Sequence, residues 1–187
     1  MKPFEIFLPP NDLADFVSGY VVIDEYSPDE VEIKSFETSL SLGVNLGKPF
    51  EFCWGPQNVG CEEMAWQAFD KPYLFADYAN KNSFMAKGQI RLVFIVFTPY
   101  GLYTLLNDRH PVFEEPIFPL SRLGVPIFNL IVKRKLRFVH SNEEGLKIIE
   151  EELRRFFLKH TSENSDQENN NEFVTKKIHI FDKDIEI

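Results

Sequence analysis

Residues 87–107 read KGQIRLVFIVFTPYGLYTLLN. From Leu92 to Phe97 every position is apolar, so a strand over Gln89–Phe97 has both faces to bury once past Arg91. Such a strand belongs in the middle of a sheet, with further structure above and below it. Pro99 cannot join a strand ladder but suits a first helical turn, which predicts a helix from Tyr100 to about Asn107. The apolar run at 92–97 is far too short to span a bilayer.

The same pattern extends toward the N-terminus. Pro9-Pro10 ends an extended lead-in. Asn11 or Asp12 is placed to cap a short helix with Leu13, Phe16 and Val17 on its apolar side and Gly19 at its end. Tyr20–Tyr26 and Val31–Phe36 read as strands joined by a turn at Ser27-Pro28-Asp29. Leu40, Leu42, Val44 and Leu46 alternate with Ser41, Gly43 and Asn45, a half-buried strand whose other face is small. Gly47-Lys48-Pro49 turns the chain into a strand at Phe50–Trp54, and irregular strands are expected at Met64–Phe69 and Tyr73–Tyr78.

Toward the C-terminus the period changes. Ser121 is placed to cap a short helix, and VPIFNLIVKRKLRF at 125–138 admits either helix or strand. Ser141 or Asn142 then caps a helix over Glu143–His160. Leu146, Ile149, Leu153, Phe156 and Phe157 fall on one side, with glutamates early and Arg154, Arg155 and Lys159 late, the order the helix dipole favours. Residues 161–172, TSENSDQENNNE, carry no apolar side chain and read as a linker, after which 173–187 looks like the start of a further unit.

Composition narrows the functional classes. The formal net charge is -9, which does not suit a general nucleic-acid binder. The N-terminus lacks the apolar segment of a signal peptide, and two cysteines, Cys53 and Cys61, suit buried thiols in a cytoplasmic, non-membrane protein. The four histidines, at 110, 140, 160 and 179, form no ligand pair, so no metal or cofactor is expected. No nucleophile elbow or phosphate loop is present, and the adjacent glutamates at 62–63, 114–115 and 143–144 do not face one another, so catalytic residues are not expected. Lys133, Arg134, Lys135 and Arg137 form the one basic run, read as a surface or interdomain patch that pairs with acidic neighbours or, within a larger protein, as a contact with DNA. Trp54, Trp66, Tyr73, Tyr78 and Phe84 either line the mouth of a barrel or sandwich, as a site for a small, partly apolar ligand, or fill its core.

Three segments together resemble the sensor-side domain of AraC/XylS-type bacterial transcription regulators. They are FLPPNDLADFVSGYVV, SLSLGVNLGKPFEF and, most specifically, KGQIRLVFIVFTPYGLYTLLN with its Phe97-Thr98-Pro99-Tyr100-Gly101 hinge. The resemblance covers roughly residues 4–160 and departs from the family at Val21 and at Phe36-Glu37-Thr38. It implies an α+β fold, a cupin-like β-barrel or sandwich followed by a C-terminal helical part, over residues 1–160. It also implies effector sensing, homodimerisation or both, without enzymatic chemistry. DNA would be read only through a helix-turn-helix domain absent from this chain, of which 173–187 would be the stub. Physically, Leu146, Ile149, Leu153 and Phe156 then become the expected dimer interface, and Phe97, Pro99 and Gly101 the hinge. A stand-alone cupin-like small-molecule binder is the alternative.

Overall fold

The computed structural model describes residues 4–33, 41–56, 63–75, 82–106, 117–125, 127–128 and 130–165. Its strands are β1 (Glu5–Phe7), β2 (Val17–Glu32), β3 (Ser41–Asn45), β4 (Glu51–Pro56), β5 (Gln67–Ala68), β6 (Tyr73–Phe75), β7 (Asn82–Phe97) and β8 (Ile117–Pro119). Its helices are α1 (Pro99–Leu106), α2 (Leu130–Arg137) and α3 (Asn142–Ser165). The strands form one eight-stranded antiparallel sheet of order β1-β2-β7-β3-β6-β8, with β4 joined to β7 and to β5. The fold is therefore mixed α+β. Among the described residues no pairing joins β1 to β8, and no helix is long and apolar enough to cross a membrane.

β7 is the spine the sequence predicts. It pairs with β2 along one edge, and with β4 and then β3 along the other. Its alternate residues feed two separate cores. Phe84, Ala86, Ile90, Leu92 and Phe94 enter an aromatic cluster on one face. Val93, Ile95 and Phe97 enter a second cluster on the other, beneath the helices. The covering on both faces is why the run from 92 to 97 carries no polar residue.

Local departures from the expected elements have identifiable causes. Ser27-Pro28-Asp29 is a bulge in β2, not a turn: the register jumps from Ser27↔Gly88 to Val31↔Ala86 and the strand continues. A bulge accommodates a proline that a regular ladder would reject, and Gly88 opposite it sits at φ 102. The helix expected around Leu13–Val17 is only a 3-10 turn at Asn11–Leu13, because Val17 already pairs with Phe97. Within the ambiguous 125–138 stretch, Leu130–Arg137 forms the helix α2. Ser141 caps α3, its Oγ accepting from the Glu144 N–H at 3.1 Å, while the Glu144 carboxylate accepts from the His140 N–H. α3 continues past His160 to Ser165, since Thr161–Ser165 contains neither glycine nor proline to stop it. The rest of the expected linker and the 173–187 segment lie outside the described residues.

α3 lies across the sheet at close range. A Cβ on Gly145 would come 2.7 Å from the Leu46 side chain just beyond β3. Arg91, the charged residue of β7 on this face, reaches across the seam. It donates to the Val139 carbonyl and to Asn142 Oδ1, both at 3.1 Å, and stands 3.3 Å from Asp24. One side chain thus ties the central strand to the entry of α3.

Candidate functional site

The interior on the aromatic face is built by side chains that alternate inward from β4, β6 and β7, with Phe50 and Phe69 from the flanking loops. Phe50 and Phe69 stack at 4.9 Å, and Phe52 meets Phe69 and Tyr73 edge-on at 5.1 and 5.0 Å. Phe75 meets Phe84 and Phe94 edge-on at 5.3 and 4.9 Å. These centroid separations are those of packed aromatic pairs. Phe52 and Tyr73 touch although β4 and β6 do not pair, so the sheet curls toward this face. Gly43 makes the packing possible, because its Cβ would lie 2.6 Å from the Phe75 ring. Burial pushes the Tyr73 hydroxyl up to about 12, with the Asp70 carboxylate adding to the shift.

The expected ligand residues therefore separate. Tyr73 and Phe84 are core side chains within this cluster, and Trp54 packs partly buried against it. Trp66 is half-buried, with the Lys87 ammonium 4.2 Å from its ring centroid and that same lysine 3.4 Å from Glu51. Tyr78 lies outside the described residues. Of the two readings the sequence left open, Tyr73 and Phe84 follow the core one.

The expected dimer residues also turn inward. Leu146, Ile149, Leu153 and Phe156 are buried in the chain's own second core, against Leu42, Val44, Val93 and Ile95. They are covered by this chain and are not exposed to a second copy. The amphipathic period correctly marks a face that must be buried; the sheet supplies the cover.

The expected hinge residues join β7 to α1 through close contacts. Phe97 is buried at the end of β7, Pro99 opens α1, and Thr98 between them makes four bonds, one of them from the Leu102 N–H to its carbonyl at 2.9 Å. Its N–H donates to the Phe16 carbonyl at 3.0 Å and its Oγ1 donates to the Asp15 carbonyl at 2.6 Å. Oγ1 also accepts from the Gly101 N–H at 3.0 Å. Gly101 presses directly on Phe16, where an added Cβ would sit 1.9 Å from the carbonyl oxygen.

Two polar features escape the sequence. Glu152, only 5% exposed, accepts from the Phe128 N–H at 3.2 Å and from Arg155 Nη1 at 2.7 Å. Phe128 sits at φ 55, so a buried carboxylate secures a strained backbone just ahead of α2. At the other side of α3, Arg154 holds Asp12 through Nε and stands 3.7 Å from Glu150. The arginine draws the Asp12 carboxyl down, whereas burial pushes Glu150 up. Tyr20 is fully buried beside them, with no partner for its hydroxyl among the described residues; desolvation pushes its ionisation up, reinforced by Glu150. No spacing rule links Asp12 to Arg154, or Phe128 to Glu152.

A shallow cleft of about 330 Å³, counting its open mouth, lies between α2 and the turns after β3 and before β6. Lys71, Lys133 and Arg137 line it, with Asp70 as the opposing charge and Leu136 and Val44 as apolar wall. Compared with protein-family models, curated proteins and solved structures, the chain gives no match.

Proposed function

We propose that this chain is the regulatory half of an AraC/XylS-type transcription regulator and acts by joining two copies, making and breaking no bond. The observation that supports contact over effector capture is the ring-filled interior: Phe52, Phe69, Tyr73, Phe75 and Phe84 occupy the space a cupin-like domain would give a ligand. The curl that brings β4 and β6 rings together supports the finer, cupin-like reading of the sheet. DNA would be read by a separate helix-turn-helix unit.

With the α3 stripe committed to the sheet, the surface for a second copy is the outer edge of β1. Among the described residues that strand pairs only with β2, and Ile6 is 65% and Leu8 81% exposed. An antiparallel pairing of two β1 edges would continue the sheet across a twofold axis. The test is sedimentation of the chain and of its Ile6→Lys/Leu8→Lys variant. Each is also fused to a monomeric DNA-binding domain, with a reporter behind a palindromic operator. A dimer that represses the reporter, with both properties lost in the variant, is expected. A chain that stays monomeric at about 50 μM, far above a working dissociation constant, and leaves the reporter active would overturn the proposal.

A further inference from the structure

The outer face of α2 combines exposed apolar side chains with positive charge. Val132 and Leu136 are its inward residues. At about 100° per residue, the outward arc runs from Lys133 and Arg137, on the cleft side, through Leu130, Arg134 and Ile131 to Lys135. Phe138 follows directly, held by its N–H to the Lys135 carbonyl at 3.1 Å. Leu130, Ile131 and Phe138 are 70%, 67% and 75% exposed. Leu130, Ile131 and Phe138 thus stand among cations, with Arg134 between Leu130 and Ile131 and with Lys133, Arg137 and Lys135 at the flanks, and Lys71 extends the positive charge across the cleft.

We infer that this face is a docking site for an acidic amphipathic segment of a partner protein. Such a segment offers apolar side chains to Leu130, Ile131 and Phe138 and carboxylates to the cations among and beside them. A carboxylate on its near flank would meet Lys71, Lys133 and Arg137 at the cleft. Two alternatives fit less well. A second copy docked α2 to α2 would bring two sets of Lys133, Arg134, Lys135 and Arg137 together, a like-charge arrangement that costs affinity. Nucleic acid would find cations here, but phosphates gain nothing from three large apolar side chains, and the whole chain carries -9. The face shares no residue with the β1 edge, so the two can be varied separately.

The probe is a fluorescein-labelled helical peptide with leucines on one face and glutamates on the other, titrated with the full chain and read by anisotropy. The same peptide with lysines for glutamates, and a DNA duplex of arbitrary sequence, are run beside it. The acidic peptide is expected to bind with Kd on the order of 10 μM, and at least tenfold more tightly than the basic peptide. Arg134→Glu/Lys135→Glu and Leu130→Ser/Ile131→Ser should each weaken it at least tenfold. All four positions are exposed, so both variants should melt with the parent chain. Equal binding of the two peptides, no binding of either, or affinity unchanged in both variants overturns the inference. So does tighter binding of the duplex. Self-association abolished by the Arg134→Glu/Lys135→Glu change would assign the face to a second copy and equally overturn it.

Discussion

Replacing Gly101 with alanine tests whether the segment after β7 is a lock or a hinge. In an exposed helix the change would stabilise by about 1 kcal/mol, since alanine is the better helix former. Here the new Cβ would lie 1.9 Å from the Phe16 carbonyl oxygen and 2.6 Å from its carbon, whereas ordinary contact begins at 3.4 Å. Backbone meets backbone, so no rotamer change relieves the overlap; α1 must move off the Asp15–Val17 segment by roughly 1.5 Å to regain van der Waals distance. That displacement opens the Thr98 bonds to the Phe16 and Asp15 carbonyls, worth about 1 kcal/mol each. It also disturbs Phe16, which stacks on Phe157 at 4.3 Å and leans on Tyr100 at 5.3 Å, contacts worth about another 1 kcal/mol. With overpacking strain added and helix propensity subtracted, the net cost is about 2–4 kcal/mol. For a chain of this size the melting temperature should fall by roughly 5–15 °C. Calorimetry measures it, with Gly19→Ala as control, because its Cβ would meet only the Phe7 carbonyl oxygen at an ordinary 3.5 Å. A Gly101→Ala protein that melts with or above the parent would refute the reasoning and show that α1 swings freely on Thr98.

Three further outcomes follow from buried polar groups. Tyr20→Phe removes a fully buried hydroxyl without a partner among the described residues, so urea denaturation should find the variant equal to the parent or up to about 1 kcal/mol more stable; a clear loss would reveal a bond to that hydroxyl. Glu152→Ala should cost about 2–3 kcal/mol, because the Phe128 N–H loses its acceptor inside the protein, and a near-neutral result would mean the strained turn needs no support. Glu150 titrates above the unfolded value of 4.5, mainly from burial, with Arg154 opposing and Asp12 reinforcing the shift. Its contribution is therefore greatest below pH 4.5 and declines as pH rises from there through the raised folded value, so Glu150→Gln should gain stability relative to the parent across that window. A parent-minus-variant difference that runs the opposite way would exclude that burial penalty.

How much of this was legible in the sequence depends on whether a feature is local or shared between distant segments. The apolar run 92–97 predicts a central, doubly covered strand, and Ser141 predicts the start of α3, because period and capping are properties of consecutive residues. The bulge at Ser27–Val31 reads falsely as a turn: Ser-Pro-Asp is turn chemistry, and only the sixteen-residue partner β7 keeps the strand running through it. The Asp12–Arg154 and Phe128–Glu152 contacts join segments with no periodic relation, and nothing in either segment alone announces them.

The candidate site shows the same division more sharply. Aromatic content near polar residues is the composition of a ligand pocket and of a tightly packed interior alike, since sequence specifies ring identities without the volume between them. Gly43 carries the missing information: on the small face of β3 it leaves room for the Phe75 and Phe69 rings. The amphipathic stripe of α3 is ambiguous in a parallel way. Leu146, Ile149, Leu153 and Phe156 must be buried by something, and periodicity cannot distinguish a chain's own sheet from a second copy. Glycine again marks the answer, because Gly145 lets α3 settle onto Leu46 at a distance no side chain would allow. Residues that must be covered thus carry little information about their cover, while the small residues beside them record how closely it comes. By the same logic the surface of functional interest is the one that breaks the pattern. α2 keeps Val132 and Leu136 for the core, yet leaves Leu130, Ile131 and Phe138 largely exposed among cations.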